Sequence, residues 1–275
     1  MITISNTASN IKLQNYMAEF SKAQQKSMSR LASGYKLESA ADDAGNYQIA
    51  VNATRQLRGL ETANKNATSA KNIVEAADES LTKMSELAYS IQALSQKALR
   101  GTADERAALQ EEANALLAEI KNLKNETKYN DVQVFRNEGF IFQVGYEGNA
   151  NSSLRVDTSL ASSELDGFDI DTYSVDFSTD AKIEEEMAKF DALQGDLNKK
   201  TTEIGAKNQI LDNIIKAQEE IYTNVNTNRE NLINTDMAEE LVAYVKNQIL
   251  NSAASALKEQ TTSLNSALAI GLIVA

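Results

Sequence analysis

Residues 29–50, SRLASGYKLESAADDAGNYQIA, hold the side chains of this sequence best placed to do chemistry. Asp42 and Asp43 are adjacent carboxylates set between two glycines, Gly34 and Gly45. Paired acids can begin a hard-cation site or share a proton in acid–base work. Neither chemistry is complete with two groups, and a plainer role fits the same residues: Gly34 stops one helix, and Ser39 or Asp42 caps the next. The segment is therefore read as a joint. There is no Cys and no His in 275 residues, which excludes disulfides, thiol nucleophiles, imidazole bases and the common zinc centres. Hydrolysis by carboxylates alone needs two acids across a cleft, and nothing in the sequence builds one. No catalytic, metal or cofactor residue is assigned, and the chain is read as a non-enzyme. Asn-x-Ser/Thr occurs at Asn52, Asn66, Asn125 and Asn151, a frequency that chance supplies.

The elements flanking the joint are helical. Leu60, Ala63, Ala67, Ala70, Val74, Ala77, Leu81, Met84, Ala88 and Ile91 recur at alternating steps of three and four, a heptad seam whose small residues permit close approach. Gly101 marks a break, and Thr102 with Glu105 has capping-box spacing. Leu109, Ala113, Leu116, Ile120 and Leu123 continue the seam on a returning helix, so 46–128 reads as an antiparallel helical hairpin. β-branched and aromatic runs separated by Gly and Asn predict a small β-hairpin over 132–158. Residues 159–180 are acidic, rich in Ser and Thr and without period, which predicts a short exposed tip. Exposed Ser and Thr hydroxyls near 152–179 are candidates for O-linked sugar.

Helix returns at 181. Ile183, Met187, Phe190, Leu197, Ile204, Leu211, Ile215, Tyr222, Val225 and Leu232 share a heptad frame whose other slots are polar: Gln194, Thr201, Asn208, Gln218 and Arg229. Asp236 with Glu239 has N-cap spacing for a last helix running to about Gly271, and a weaker stripe, Tyr16, Met17, Phe20, Ala23, Ser27 and Leu31, lies on a first helix. Absence of Pro leaves all of these helices free to be long. The expected fold is mainly α: a long antiparallel coiled-coil rod with a small β-hairpin region, flanked by paired terminal helices.

A net charge of −12 disfavours nucleic acid and anionic membrane as partners. The first residues lack the basic and apolar regions of a cleavable secretory signal. From Thr261 to Ala275 the chain is uncharged and ends in LNSALAIGLIVA, too short to span a bilayer as a helix. Such an end needs another apolar partner, and self-association supplies one.

These residues carry a resemblance. Residues 29–50, then LRGLETANKNATSAKNIVEAADESLTKMSEL, EIKNLKNETKYNDVQVF and FQVGYEGN, resemble the N-terminal region of bacterial flagellins, and EIGAKNQILDNIIK with NRENLINTDMAEELVAYVKNQILNSAASALKEQ resembles their C-terminal region. The resemblance implies a minimal flagellin lacking the bulky outer domains. It implies an inner tube domain (1–45 with 236–275, connector at 34–45), a helical rod domain (46–158 with 181–235) and the tip at 159–180. It further implies a secreted subunit that self-assembles into the flagellar filament for motility, its terminal helices folding on polymerisation. Partners implied are copies of itself, other flagellins, a secretion chaperone, the export apparatus, and the filament cap and junction proteins. Gly34, Asp42, Asp43 and Gly45 become connector residues. Expected polymerisation contacts are Tyr16, Phe20, Leu31, Leu241, Val245, Ile249, Leu264, Leu268, Ile270 and Leu272. Where flagellins seen by the mammalian Toll-like flagellin receptor carry an Arg and a Glu, an ungapped count gives Ser90 and Ala93; a slip of one heptad keeps Glu86 but still lacks the Arg. The alternative within the same appendage is a hook-associated junction protein, which shares the terminal motifs.

Overall fold

The ten seam residues from Leu60 to Ile91 are each at most 2 % exposed, so the heptad period does correspond to a buried line. The structure, a computed structural model, describes residues 2–147, 152–160, 165 and 168–274, with side chains for these other than 2–7, 265 and 268–274. In chain order the elements are α1 (Ile2–Ser33), α2 (Ala44–Ala98), α3 (Ala103–Glu126), β1 (Lys128–Tyr129), β2 (Val132–Gln133), β3 (Phe140–Gln143), β4 (Ser153–Val156), α4 (Asp180–Ile233) and α5 (Met237–Val274). The chain divides into two compact units. One comprises residues 1–55 with 225–275, the other 56–224.

In the unit of residues 56–224, α4 runs antiparallel to α2. Three polar contacts fix the register: Lys71 to Asp212 at 2.6 Å, Ser85 to Asn198 at 3.4 Å and Gln92 to Asp191 at 3.4 Å. The two residue numbers in each pair sum to 283, the signature of two helices running oppositely without slippage. α3 begins with the capping box of Thr102 and Glu105. Arg106, one residue on, donates from Nε to the carbonyls of Ala98 and Gly101 and from Nη2 to that of Leu99, closing the end of α2; it also pairs with Asp180 at the start of α4. On α3 the fully buried residues are Ala113, Leu117 and Ile120. Leu109, Leu116 and Leu123 flank them half-buried, so the α3 seam keeps the expected Ala113 and Ile120 and buries Leu117 rather than Leu116. α4 likewise buries Leu193 beside the expected polar slot Gln194.

The β region differs from the expected single hairpin over 132–158. It is two separate two-stranded antiparallel sheets, and the first starts at Lys128. Asn130 and Asp131 both adopt positive φ, 52° and 64°, the two-residue turn whose twist suits a tight hairpin. β3 pairs with β4 from Phe140↔Val156 to Gln143↔Ser153. Gly139 precedes them at φ 63°, where an added Cβ would meet the Val156 carbonyl oxygen at 2.8 Å; only glycine fits.

The exposed tip expected at 159–180 is not what the described residues show. Leu160, Leu165, Phe168, Ile170, Val175 and Phe177 are buried against the helices. α3 grips the backbone of this strap with its side chains. Asn114 accepts from the Val175 N–H at 2.9 Å and donates to the Val175 carbonyl at 3.3 Å; Gln110 accepts from the Phe177 N–H; Lys121 donates to the Tyr173 carbonyl. The Tyr173 hydroxyl donates to buried Glu186 of α4 at 2.6 Å, and burial pushes that carboxyl above its ordinary range. Val175 and Phe177, alternate apolar residues whose N–H groups are satisfied by side chains of α3, let an acidic segment lie flat on a helical core. Exposed hydroxyls remain at Ser153, Thr172, Ser174, Ser178 and Thr179.

Candidate assembly interface

In the unit formed by the two chain ends, α1 and α5 pack antiparallel. Thr261 donates to Asn10 at 2.6 Å near one end of the pair, and Arg30 meets Glu240 at 3.4 Å near the other. Among described side chains of these two helices only Ser27 and Ala254 are buried. The apolar residues point elsewhere. On α5, Leu241, Val242, Val245, Ile249, Leu257 and Leu264 are exposed, Val242 by 69 %. On α1, Ile11, Tyr16 and Met28 are exposed, while Phe20 and Leu31 are half-buried and Tyr16 stacks on Phe20 with ring centres 6.2 Å apart. Side chains of the expected contacts Leu268, Ile270 and Leu272 lie outside the described residues. The exposed apolar area of this two-helix surface marks it as a candidate interaction site.

The joint is stitched by polar groups. Gly34 takes φ 77°, and its N–H donates to the Arg30 carbonyl, ending α1 in a left-handed cap. Its own carbonyl accepts from the Thr235 N–H at 2.9 Å, and the Lys36 N–H donates to the Ile233 carbonyl at 2.7 Å around a bridge between Tyr35 and Asn234. The loop before α2 is thereby tied to the loop before α5. Asp42 accepts from the Lys26 ammonium at 2.9 Å and from the N–H groups of Glu38 and Ser39; with Lys26 as the leading cause, its pKa falls to about 2. Asp43, not Ser39 or Asp42, caps α2: it accepts from the Asn46 N–H at 3.0 Å, which lowers its pKa. Ser39 and Asp42 lie too far before Ala44 to reach the first free N–H groups, and they close the preceding turn instead. Gly45 sits in the first turn of α2 without a positive φ. Glu38, not singled out in the sequence, accepts from the hydroxyls of Ser33 and Ser29, and both lower its pKa.

Both carboxylates of the pair are thus committed to hydrogen bonds of the chain itself. No cluster of three or more potential metal-binding acids occurs among the described residues, and no described helix is long and apolar enough to cross a membrane. Asp236 caps α5 through the N–H groups of Ala238 and Glu239. On α2, Ser90 is exposed and donates to the Glu86 carbonyl, and Ala93 is half-buried.

A family model described as the bacterial flagellin N-terminal helical region matches residues 4–139. A flagellin of Bacillus subtilis is 25 % identical over 278 aligned residues, covering 90 % of this chain and 91 % of the relative. The chain belongs to the bacterial flagellin family. A Treponema pallidum flagellin is similar at 24 % identity, with 89 % and 91 % covered. The polar flagellin A of Vibrio parahaemolyticus reaches 32 % identity, but this flagellin-family chain covers only 44 % of its length. A solved structure described as a putative flagellar hook-associated protein from Vibrio parahaemolyticus shares the fold of this family member at TM-score 0.61 and 16 % identity, over 70 % of this chain and all of that one.

Proposed function

We propose that this flagellin-family chain is a structural subunit that polymerises into the extracellular flagellar filament for motility. The observation that carries this reading is the α1/α5 pair, which leaves Leu241, Val245 and Ile249 exposed while burying, among its described side chains, only Ser27 and Ala254. Alignment along nine-tenths of a flagellin of similar length supports it. In this reading the α1/α5 unit forms the inner tube and residues 56–224 form the surrounding layer. Gly34, Asp42, Asp43 and Gly45 belong to the connector. Tyr16, Phe20, Leu31 and the exposed stripe of α5 contact neighbouring subunits, joined by Leu264, Leu268, Ile270 and Leu272. An isolated pair of helices with so little core is marginal in water, so the ends order as neighbours cover them. A chain without Cys can be exported in an unfolded form without forming disulfide traps, and a secretion chaperone, the export apparatus, and cap and junction proteins would handle it.

Electron microscopy of the purified protein, with and without short filament seeds, tests the reading. Long uniform tubes are expected. Persistent monomers or short caps after seeding would transfer the assignment to a junction protein or to a flagellin that requires a second subunit type.

A further inference from the structure

Sulfur occurs in this chain only as methionine: there are six Met and no Cys. In a protein without thiols the thioether is the group that a peroxide oxidises most readily. Burial sorts the described methionines. Met84 is wholly buried in the seam of α2, and Met17 and Met187 are half-buried. Met28 on α1 is 56 % exposed, and Met237, the first residue of α5, is 50 % exposed.

The two exposed sulfurs belong to one end of the α1/α5 pair, each within three residues of the Arg30–Glu240 contact that joins the helices there. Each also shares a helix face with a residue of the expected assembly surface: Met28 with Leu31, three residues on, and Met237 with Leu241, four residues on. Leu241 and Val245 are themselves exposed, so Met237 extends their apolar stripe to the start of α5. An unbranched thioether adapts to whatever apolar surface covers it. Its sulfoxide does the opposite. The S=O oxygen is a strong acceptor that loses its water when covered, and apolar neighbours return no donor.

Resting on the reading of this chain as a filament subunit, we propose that Met28 and Met237 form a modification site of the free subunit, converted by hydrogen peroxide to methionine sulfoxides that block its addition to the filament. In that step the peroxide O–O bond breaks, an S–O bond forms, each sulfur is oxidised by two electrons, and water leaves. Assembly covers both sulfurs, so the site responds to oxidant only before a subunit is added. Met84 stays out of reach while the unit of residues 56–224 is folded.

The test treats full-length monomer with dilute hydrogen peroxide, quenches it and adds filament seeds. Mass spectrometry is expected to find an added oxygen at residues 28 and 237 and none at 84. The critical concentration for seeded growth is expected to rise by about tenfold or more. Met28→Leu/Met237→Leu protein, which conserves volume and keeps Met17, is expected to grow equally well before and after treatment. Oxidised wild type that grows like untreated protein overturns the proposal, as does a loss of growth that persists in the oxidised double variant. If leucine itself prevents growth, wild-type filaments decide: treated after assembly, residues 28 and 237 are expected to oxidise about tenfold more slowly than in the monomer, and equal rates overturn the proposal. Untreated wild type that forms no tubes is a separate result, which removes the filament reading and this proposal with it.

Discussion

The two units of this chain use similar helices to opposite ends. In residues 56–224 the α2 seam is sealed by α3, α4 and a strap, and its apolar side chains are almost wholly out of water. Among its described side chains the α1/α5 pair, built of helices of 32 and 38 residues, buries only a serine and an alanine and leaves Ile11, Met28, Leu241, Val242 and Ile249 exposed. Burial stabilises by about 25 cal/mol per Å², so the first unit holds itself together and the second lacks the area to do so. Helix length and propensity do not decide which helices fold alone; the number of faces covered does.

The sharpest way to break this contrast is to cut away the end that needs partners. Deleting residues 261–275 is expected to abolish seeded growth while the cooperative melt of the unit of residues 56–224 persists; tubes of normal length from the truncated protein refute the assignment. Next in size are paired alanine substitutions. Ile120→Ala, at a fully buried site, is expected to cost about 2–5 kcal/mol in denaturant unfolding, whereas Val242→Ala, at 69 % exposure, should cost under about 0.5 kcal/mol yet raise the critical concentration for polymerisation. Equal effects on unfolding would erase the difference between the units.

A smaller effect is expected at the strap. Asn114→Ala strands the Val175 N–H and carbonyl, for a loss of about 1–3 kcal/mol and faster proteolysis within 168–177. Glu186 should move stability in the other direction. Its folded pKa is raised by burial, so its contribution is fully present below the ordinary carboxylate pKa and declines as pH rises through the folded value. Glu186→Gln, which can still accept from Tyr173, is expected to stabilise the protein at pH 7 and to flatten that decline, as read from denaturant unfolding across pH. Smallest is Asp42. Its pKa is depressed to about 2, so the Lys26 contact holds above the ordinary value and is lost only as pH falls from about 3.9 through 2. Asp42→Asn should remove that acid transition from amide exchange around Ser39 and change little at neutral pH.

Much of this could be read from spacing alone. The seam of α2, the capping box at Thr102, the cap at Asp236 and the stop at Gly34 are local or periodic features, and a helix exposes them as directly as a sequence does. The strap was not legible. Its acidic and hydroxyl residues have no period, and its burial depends on Gln110, Asn114 and Lys121 of a helix some fifty to seventy residues earlier. Glu186 was equally hidden, because nothing near it in sequence announces that the Tyr173 hydroxyl will meet it.

By itself, then, the sequence determined which segments are helical, the breaks at Gly34, Thr102 and Asp236, and that the chain has no thiol or imidazole chemistry, because these follow from neighbours within a turn or from composition. Tertiary structure decided which apolar faces are covered, that Asp42 ties the joint to Lys26, and that Leu117 and Leu193 enter the core. Those outcomes depend on contacts between residues far apart in the chain, and only packing settles which of several adjacent side chains faces a partner.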